Sequence, residues 1–549
     1  MQVERHPIIR FFFSLQRCDV HQIPRTPKRR RRPLDFALVL ALLPALAFCF
    51  GCGASQVGGT VSTTNNPQVA LYTVTAHSGA QVTIHFGPTT SYGLSTWTKS
   101  IPSNGGSVSI YVAGMEGNST YHMQAEVKLS DGRTVTDVDH VFHTSSYPNN
   151  YAPAVTAAAA PGQTPQPGIQ VVNTTGATAQ ISAFDLSGNL LWAYNDPTVD
   201  LSHAFWLAPS LMPNGDFIAI VSPSSSIALK GGAPAGTPNI AREFDLAGNT
   251  VKQITMDQLN SELAAKNFNL KLDVFSHEII VLPNGHWLVL ATTLKDVVLT
   301  GQTAPTNVLG DAIVDLDEDL QPVWAWNEFD HLDVNRRPWN FPDWTHSNAI
   351  IYSPDDGNLL VSIRHQNWIV KVDYADGTGT GNILWRLGAG GDFKLIGGTD
   401  PTDWAYAQHG MHFTTQNTAG RFGLVVMDNG DDRSYPGGDP ASPATCAGDG
   451  SVACYTTVPV YEIDEAAKTA TLQFHHVVPR NLYSAWGGNA EQLDNGDVEY
   501  DLCGLPGPVS QIDEVTNEAN PQPVWTMKVH ANSAYRSYRL PSFYPGVQW

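Results

Sequence analysis

Residues 184–194 read FDLSGNLLWAY, and the phrase returns in altered form five times. It becomes FDLAGNTVKQI at 244–254, VDLDEDLQPVWAW at 314–326 and VDYADGTGTGNILWRLG at 372–388, then YEIDEAAKTATLQF at 461–474 and IDEVTNEANPQPVWTM at 512–527. Each copy sets apolar or aromatic residues on both sides of a turn rich in Asp, Asn and Gly, the composition of a β-hairpin. A second set of hairpins is interleaved with the first: residues 203–222, 276–292, 345–365, 408–430 and 489–504. Two hairpins per unit supply the four strands of one propeller blade. Six copies of the first phrase predict six blades, filling residues 168–549.

Outward from this repeat the chain changes character. Residues 67–146 hold short alternating runs such as VALYTVTA and AQVTIHFG, spaced as in a small β-sandwich. The segment Gly114 to Tyr121 resembles the turn-plus-Tyr segment of fibronectin type III modules. Residues 53–66 are Gly/Ser/Thr/Asn-rich and read as a flexible tether, and the Pro/Ala-rich residues 147–167 read as a linker. The fold class is therefore all-β, a six-bladed propeller preceded by a fibronectin III/Ig-like sandwich. Charged residues are only 15% of the chain, against 47 Gly and 37 Pro, which suits strands and turns. One short helix is predicted, from Met256 to Lys266.

The formal charge is −20. Residues 1–51 carry nine Lys/Arg and three Asp/Glu, so this head is at +6 and the remainder at −26. Such an acidic body repels nucleic acid and anionic membranes. The head itself has the form of an export signal: Lys28 to Arg32 precede an apolar run from Leu34 to Phe50. The run ends at Gly51-Cys52-Gly53, which resembles a lipoprotein cleavage box, so residues 1–52 predict a periplasmic or lipid-anchored protein, the anchor resting on Cys52. Cys446 and Cys454, eight residues apart in a polar loop, suit a loop-closing disulfide in an oxidising compartment. Cys503 reads as a buried thiol.

A histidine stands just ahead of the strand in four of the five interleaved hairpins: His203, His277, His346 and His409, with Asn489 in the fifth. Equivalent positions of successive blades converge on the central channel, so these residues predict a ring at one mouth of it. Any one such histidine is more often structural than functional; four in register are not readily explained that way. Arg364 ends the hairpin that His346 opens, which brings the two together across the ladder. Its planar fork of donors matches a tetrahedral oxyanion.

Asp343-Trp344-Thr345-His346-Ser347-Asn348, leading to Ser362-Ile363-Arg364-His365-Gln366, resembles the signature of the bacterial arylsulfotransferases. Ser276-His277-Glu278 and Gln408-His409 followed by Asp428-Asn429-Gly430 resemble it too. The resemblance implies a transfer of a sulfuryl group from an aryl sulfate to a phenol, by a ping-pong route through a sulfohistidine. It implies His409 as nucleophile, with His277, His346 and Arg364 stabilising the sulfate oxygens. It leaves open whether His346 or His277 protonates the leaving phenolate. Periplasmic relatives in that family often carry a short-range disulfide near the site, in line with the Cys446–Cys454 spacing.

Neutral imidazole is a competent nucleophile near pH 7, and sulfuryl transfer, like phosphoryl transfer, asks for positioned cationic donors. The sequence has no GxxxxGK[ST] loop and no βαβ pattern, so neither a nucleotide sulfate donor nor any other cofactor is expected. Trp344, Trp404, Tyr406 and Trp486 are candidates to stack on a phenol ring. Two rival readings remain at this level. Several histidines round a channel can bind a metal, although Arg364 would repel it and no acidic residue stands at ligand spacing. A propeller can also be a non-catalytic binding scaffold.

Overall fold

A computed structural model describes residues 57–223, 236–339, 342–415, 417–431, 433, 454–530 and 533–549. The export head with Cys52 lies outside them, as does Cys446, so the proposed lipid anchor and Cys446–Cys454 bridge fall outside the described residues. Among the described residues no helix is long and apolar enough to cross a membrane.

Among the described residues six sheets follow one another along the chain, one for each copy of the repeat, all antiparallel but for the outer strand Lys394–Ile396 of the fifth. Blade one is built from Ile169–Thr174, Ile181–Phe184 and Leu190–Tyr194, and its fourth strand is Ala534–Leu540 from the far end of the chain. The strands nearest the channel in blades two to six are Ala204–Leu211, Leu272–Val281, Ser347–Ser353, Met411–Phe413 and Ala490–Gln492. Asn489 and Ser537 exchange two hydrogen bonds, of 2.7 and 3.0 Å, joining blade six to the closing strand of blade one.

The repeat owes its tryptophan to the neighbouring blade. Trp192 of blade one donates its indole N–H to the Leu246 carbonyl in the turn of blade two, at 2.8 Å. Trp326 of blade three reaches Gly381 of blade four, and Trp525 of blade six reaches Leu186 of blade one, each at 2.8 Å. Trp385 makes the same step to the Glu465 carboxylate of blade five. A buried indole needs a partner for its N–H, and a turn in the next blade is where one is found. The same residue thus fills its own blade and latches it to the next.

Closure is also electrostatic. Arg539 on the closing strand is buried between Glu499 (2.7 Å) and Glu514 (3.0 Å) of blade six, and also donates to Gln170 of blade one. Arg539→Met would leave these carboxylates without their cation. It is expected to lower the free energy of unfolding by about 3–5 kcal/mol, read as a lower urea midpoint.

The sandwich has a three-stranded and a six-stranded sheet. The backbone N–H of Glu116 donates to the Tyr121 hydroxyl at 3.0 Å, the tyrosine corner expected of the fibronectin-like fold. The sandwich core continues into blades one and two through Tyr544, Phe543 and Trp549. The helix is Met256–Ala265, capped by Thr255 and Gln258. Two stretches differ from expectation. The tether contains a strand, Gly58–Thr63, pairing with Ala70–Ala76, and the Pro/Ala linker contains Ala154–Ala159, which adds an outer strand to blade six. Both are edge strands held by backbone pairing, so neither needed the apolar alternation that sequence reading relies on.

Candidate active site

One cavity of about 560 Å³ opens at the channel mouth, and His277, His346, Arg364 and His409 all line it. They come from blades three, four, four and five. His277 and His346 both adopt left-handed backbone, with φ of 56° and 52°. Such values are uncommon outside glycine and cluster where a side chain must be turned toward a site. At His277 the strand ladder is broken by a register shift between Phe275 and Ile279, so the imidazole leaves the regular alternation.

His409 is 2% exposed and gripped at both nitrogens. Asn429 donates its amide to the carbonyls of Ser484 (2.8 Å) and Gly487 (3.2 Å), so its own oxygen must face His409. That oxygen lies 2.6 Å from Nδ1, which therefore carries the proton. Nε2 keeps its lone pair, toward which the Gly487 N–H points at 3.2 Å. Burial, then the charges of Arg364 and Arg536, hold the imidazole well below the usual pKa, so it is neutral at pH 7.

His346 and His277 sit with ring centroids 4.6 Å apart but differ in surroundings. Nδ1 of His346 faces the Asp343 carboxylate at 2.6 Å. Burial opposes ionisation of Asp343, yet His346 and His365 beside it hold its pKa below the usual carboxylate range. His277 has only the Ser276 hydroxyl at Nδ1, and burial, then His346 and Arg536, push it well below the usual imidazole value. Behind them, Thr345 Oγ1 and Ser347 N–H donate to Asp311, each at 2.8 Å, and Ser347 Oγ donates to Glu328 at 2.5 Å. Burial, then the Asp343 charge, pushes Asp311 up to about 7. Thr345 and Ser347 thus have structural tasks within the motif, whereas His346 and Asp343 line the cavity.

Arg364 opens a 3-10 turn directly after the strand Asn358–Ile363, and its N–H donates back to the His346 carbonyl. Its guanidinium pairs with Asp431 at 2.7 Å, donates to Nε2 of His365 at 2.7 Å and lies 4.7 Å from the Trp339 ring centre. Among the described residues none hydrogen-bonds to Nε. A planar cation held on one side leaves its remaining donor for another partner.

Phe205, Leu207, Pro223, Val274, Leu309 and Trp486 give the cavity apolar walls, while Asp311, Asp343, Ser276 and Tyr535 are among its further polar lining. Of the aromatics singled out for stacking, Trp486 lines the cavity, whereas Trp344, Trp404 and Tyr406 are buried in the core. His203 is exposed and outside the cavity; the left-handed residue of its strand is Ala208, five positions on. Asn489 serves blade closure, as described above. Sequence reading gave no role to Asp343, Asn429, Asp431, Gly487 or Tyr535; the first two stand inside the quoted motifs, which was the available signal.

Asp343, His346 and His365 bring possible metal-ligating atoms within 4.8 Å of one another. The hydrogen bonds argue against a cation there. Nε2 of His365 accepts from Arg364, so its Nδ1 holds the proton and donates to the Asp343 carbonyl at 2.9 Å. Nδ1 of His346 likewise donates to Asp343. One imidazole turns its proton to the Asp343 carboxylate and the other to the Asp343 backbone carbonyl, so neither offers a lone pair there.

Fold and site together define a β-propeller protein with a pocket that brings together three imidazoles, one guanidinium, two carboxylates and apolar side chains. A family model described as arylsulfotransferase (ASST) matches residues 154–539. The chain belongs to the arylsulfotransferase family, whose general activity is that of a sulfotransferase acting on aryl compounds. No curated protein matches it. Solved structures with some similarity include a putative 6-phosphogluconolactonase from Bacteroides fragilis, at 10% identity over 83% of this chain and 97% of that one, with a TM-score of 0.31. A variant of the NanB sialidase from Streptococcus pneumoniae is 9% identical over 85% of this chain and 84% of that one, with a TM-score of 0.29.

Proposed function

We propose that this protein moves a sulfuryl group from an aryl sulfate to a phenol in two half-reactions through His409. The observation that carries the reading is the fixed tautomer of His409, whose unprotonated Nε2 accepts the Gly487 N–H at 3.2 Å, beside a cavity that Arg364, His277 and His346 also line. In the first half-reaction Nε2 attacks sulfur and forms an N–S bond as the bond from sulfur to the aryl oxygen breaks. His346 delivers a proton to the departing phenolate. Asp343 suits His346 to this task better than Ser276 suits His277, because a carboxylate at 2.6 Å can share the positive charge of a proton donor. Arg364 and the Gly487 N–H hold the sulfuryl oxygens, on which charge accumulates in a loose transition state. In the second half-reaction a phenol returns its proton to His346, its oxygen attacks sulfur and the N–S bond breaks.

The test is release of 4-nitrophenolate from 4-nitrophenyl sulfate, with and without added phenol. Release that depends on phenol, with parallel double-reciprocal plots, supports the reading. No release with several donors and acceptors would instead leave a binding scaffold. The pH dependence adds a second check. His409 must be neutral to attack, and burial with two nearby guanidinium groups lowers its pKa, so protonation on acidification comes later than for free imidazole. The acid limb of kcat/KM is therefore expected well below pH 6.5. We also read residues 1–52 as directing export to the periplasm or cell envelope.

A further inference from the structure

The closing strand Ala534–Leu540 does more than complete blade one. Arg536, whose side chain is 1% exposed, reaches under the cavity and spreads its guanidinium over two backbone carbonyls, those of Gly488 and of Asn348, the latter at 2.7 Å. The Glu278 carboxylate stands 3.8 Å away. These three partners belong to three different blades, and each adjoins a residue of the site. Glu278 follows His277. Asn348 lies two residues after His346, and its side chain donates to the carbonyl of Gln408, the residue before His409, at 2.8 Å. Gly488 follows Gly487, whose N–H meets Nε2 of His409, and the Gly488 N–H is held in turn by the Tyr535 carbonyl at 3.0 Å.

We infer that Arg536 is a positioning residue for sulfuryl transfer, setting His277, His346 and His409 in mutual register through the backbone of three blades. This rests on the function proposed above. The glycine after His409 supports it independently. A Cβ at Gly410 would overlap Nη1 of Arg536 and the Cβ of Asn489, so that position is bare because the guanidinium occupies the space. An arginine is needed rather than any cation: two carbonyls in different directions match a planar fork, and an ammonium on a flexible stem cannot span them in the same way. Glu278, Asp501, Tyr535 and Tyr538 face the guanidinium, and its charge acts, after burial, to keep His277 and His409 unprotonated.

The experiment compares full-length wild type with Arg536→Lys, Arg536→Met and Gly410→Ala. It reads thermal unfolding, the single-turnover rate of 4-nitrophenolate release, and that rate against pH. Arg536→Lys and Gly410→Ala are expected to fold and to lose on the order of a hundredfold in single-turnover rate, with KM little changed, as for a misplaced reacting group. Their acid limbs stay in place because the charge stays. Arg536→Met loses the same rate and also moves its acid limb to higher pH, since removing a cation lets the imidazoles gain protons more readily. Folded variants with wild-type rates and a lowered melting temperature would overturn the inference and leave Arg536 a structural cross-link. Acylation of His409 by diethyl pyrocarbonate, followed by mass spectrometry, separates this from failure of the proposed function. If wild type turns over no aryl sulfate, faster labelling in Arg536→Lys would still support the positioning role, and unchanged labelling would overturn it.

Discussion

His409→Ala is expected to lower the single-turnover release of 4-nitrophenolate by at least about 10⁴-fold, the scale on which loss of a covalent nucleophile is felt. The site offers no substitute at that position. His277 and His346 line the same cavity, but each is held at Nδ1 alone, by Ser276 or Asp343, whereas Asn429 and Gly487 hold His409 at both nitrogens and fix its ring. Wild-type protein mixed with donor alone should gain the mass of one sulfuryl group, on a peptide containing His409, and the variant should not. Release that survives the substitution would keep a sulfotransferase and remove His409 from its centre. A gain in mass on His277 would reassign the nucleophile outright.

His346→Gln is expected to show the second-largest effect, and the effect should depend on the donor. A general acid matters most when the leaving phenolate is basic. Loss of about 10²-fold to 10⁴-fold is therefore expected with phenyl sulfate and much less with 4-nitrophenyl sulfate. Glutamine can still donate a hydrogen bond to a sulfuryl oxygen, so a purely stabilising role would give a uniform loss across donors. Rates measured over a series of substituted phenyl sulfates give the slope against leaving-group pKa. A slope steeper than wild type supports proton donation; an unchanged slope would move that role to His277. Asp343→Asn should steepen the slope in the same sense and more weakly, because it leaves the imidazole but removes the anion at 2.6 Å.

The repeat was legible because each blade must solve the same problem: all six copies carry the hairpin, and four of them carry the tryptophan that latches the next blade. Histidines in register led to one cavity for His277, His346 and His409. The same logic misplaced His203, because the turn into the site in its strand occurs at Ala208 and a linear offset does not record where backbone twists. Arg536 was beyond reach for a different reason. Its partners are main-chain carbonyls, which leave no mark on residue type, and the one trace is the bare Gly410. Asn429 was quoted without a role, since only the carbonyls of Ser484 and Gly487, 55 and 58 residues away, reveal which way its amide points.

The ribosome makes His277, His346, Arg364 and His409 well before it makes residues 534–540. A nascent chain thus carries its reactive side chains for some time without the strand that seats them. Synthesis and activation are separated in time by the layout of the fold. A chain interrupted anywhere before that strand would present histidines to the cell but no assembled pocket, so incomplete products should be silent rather than promiscuous.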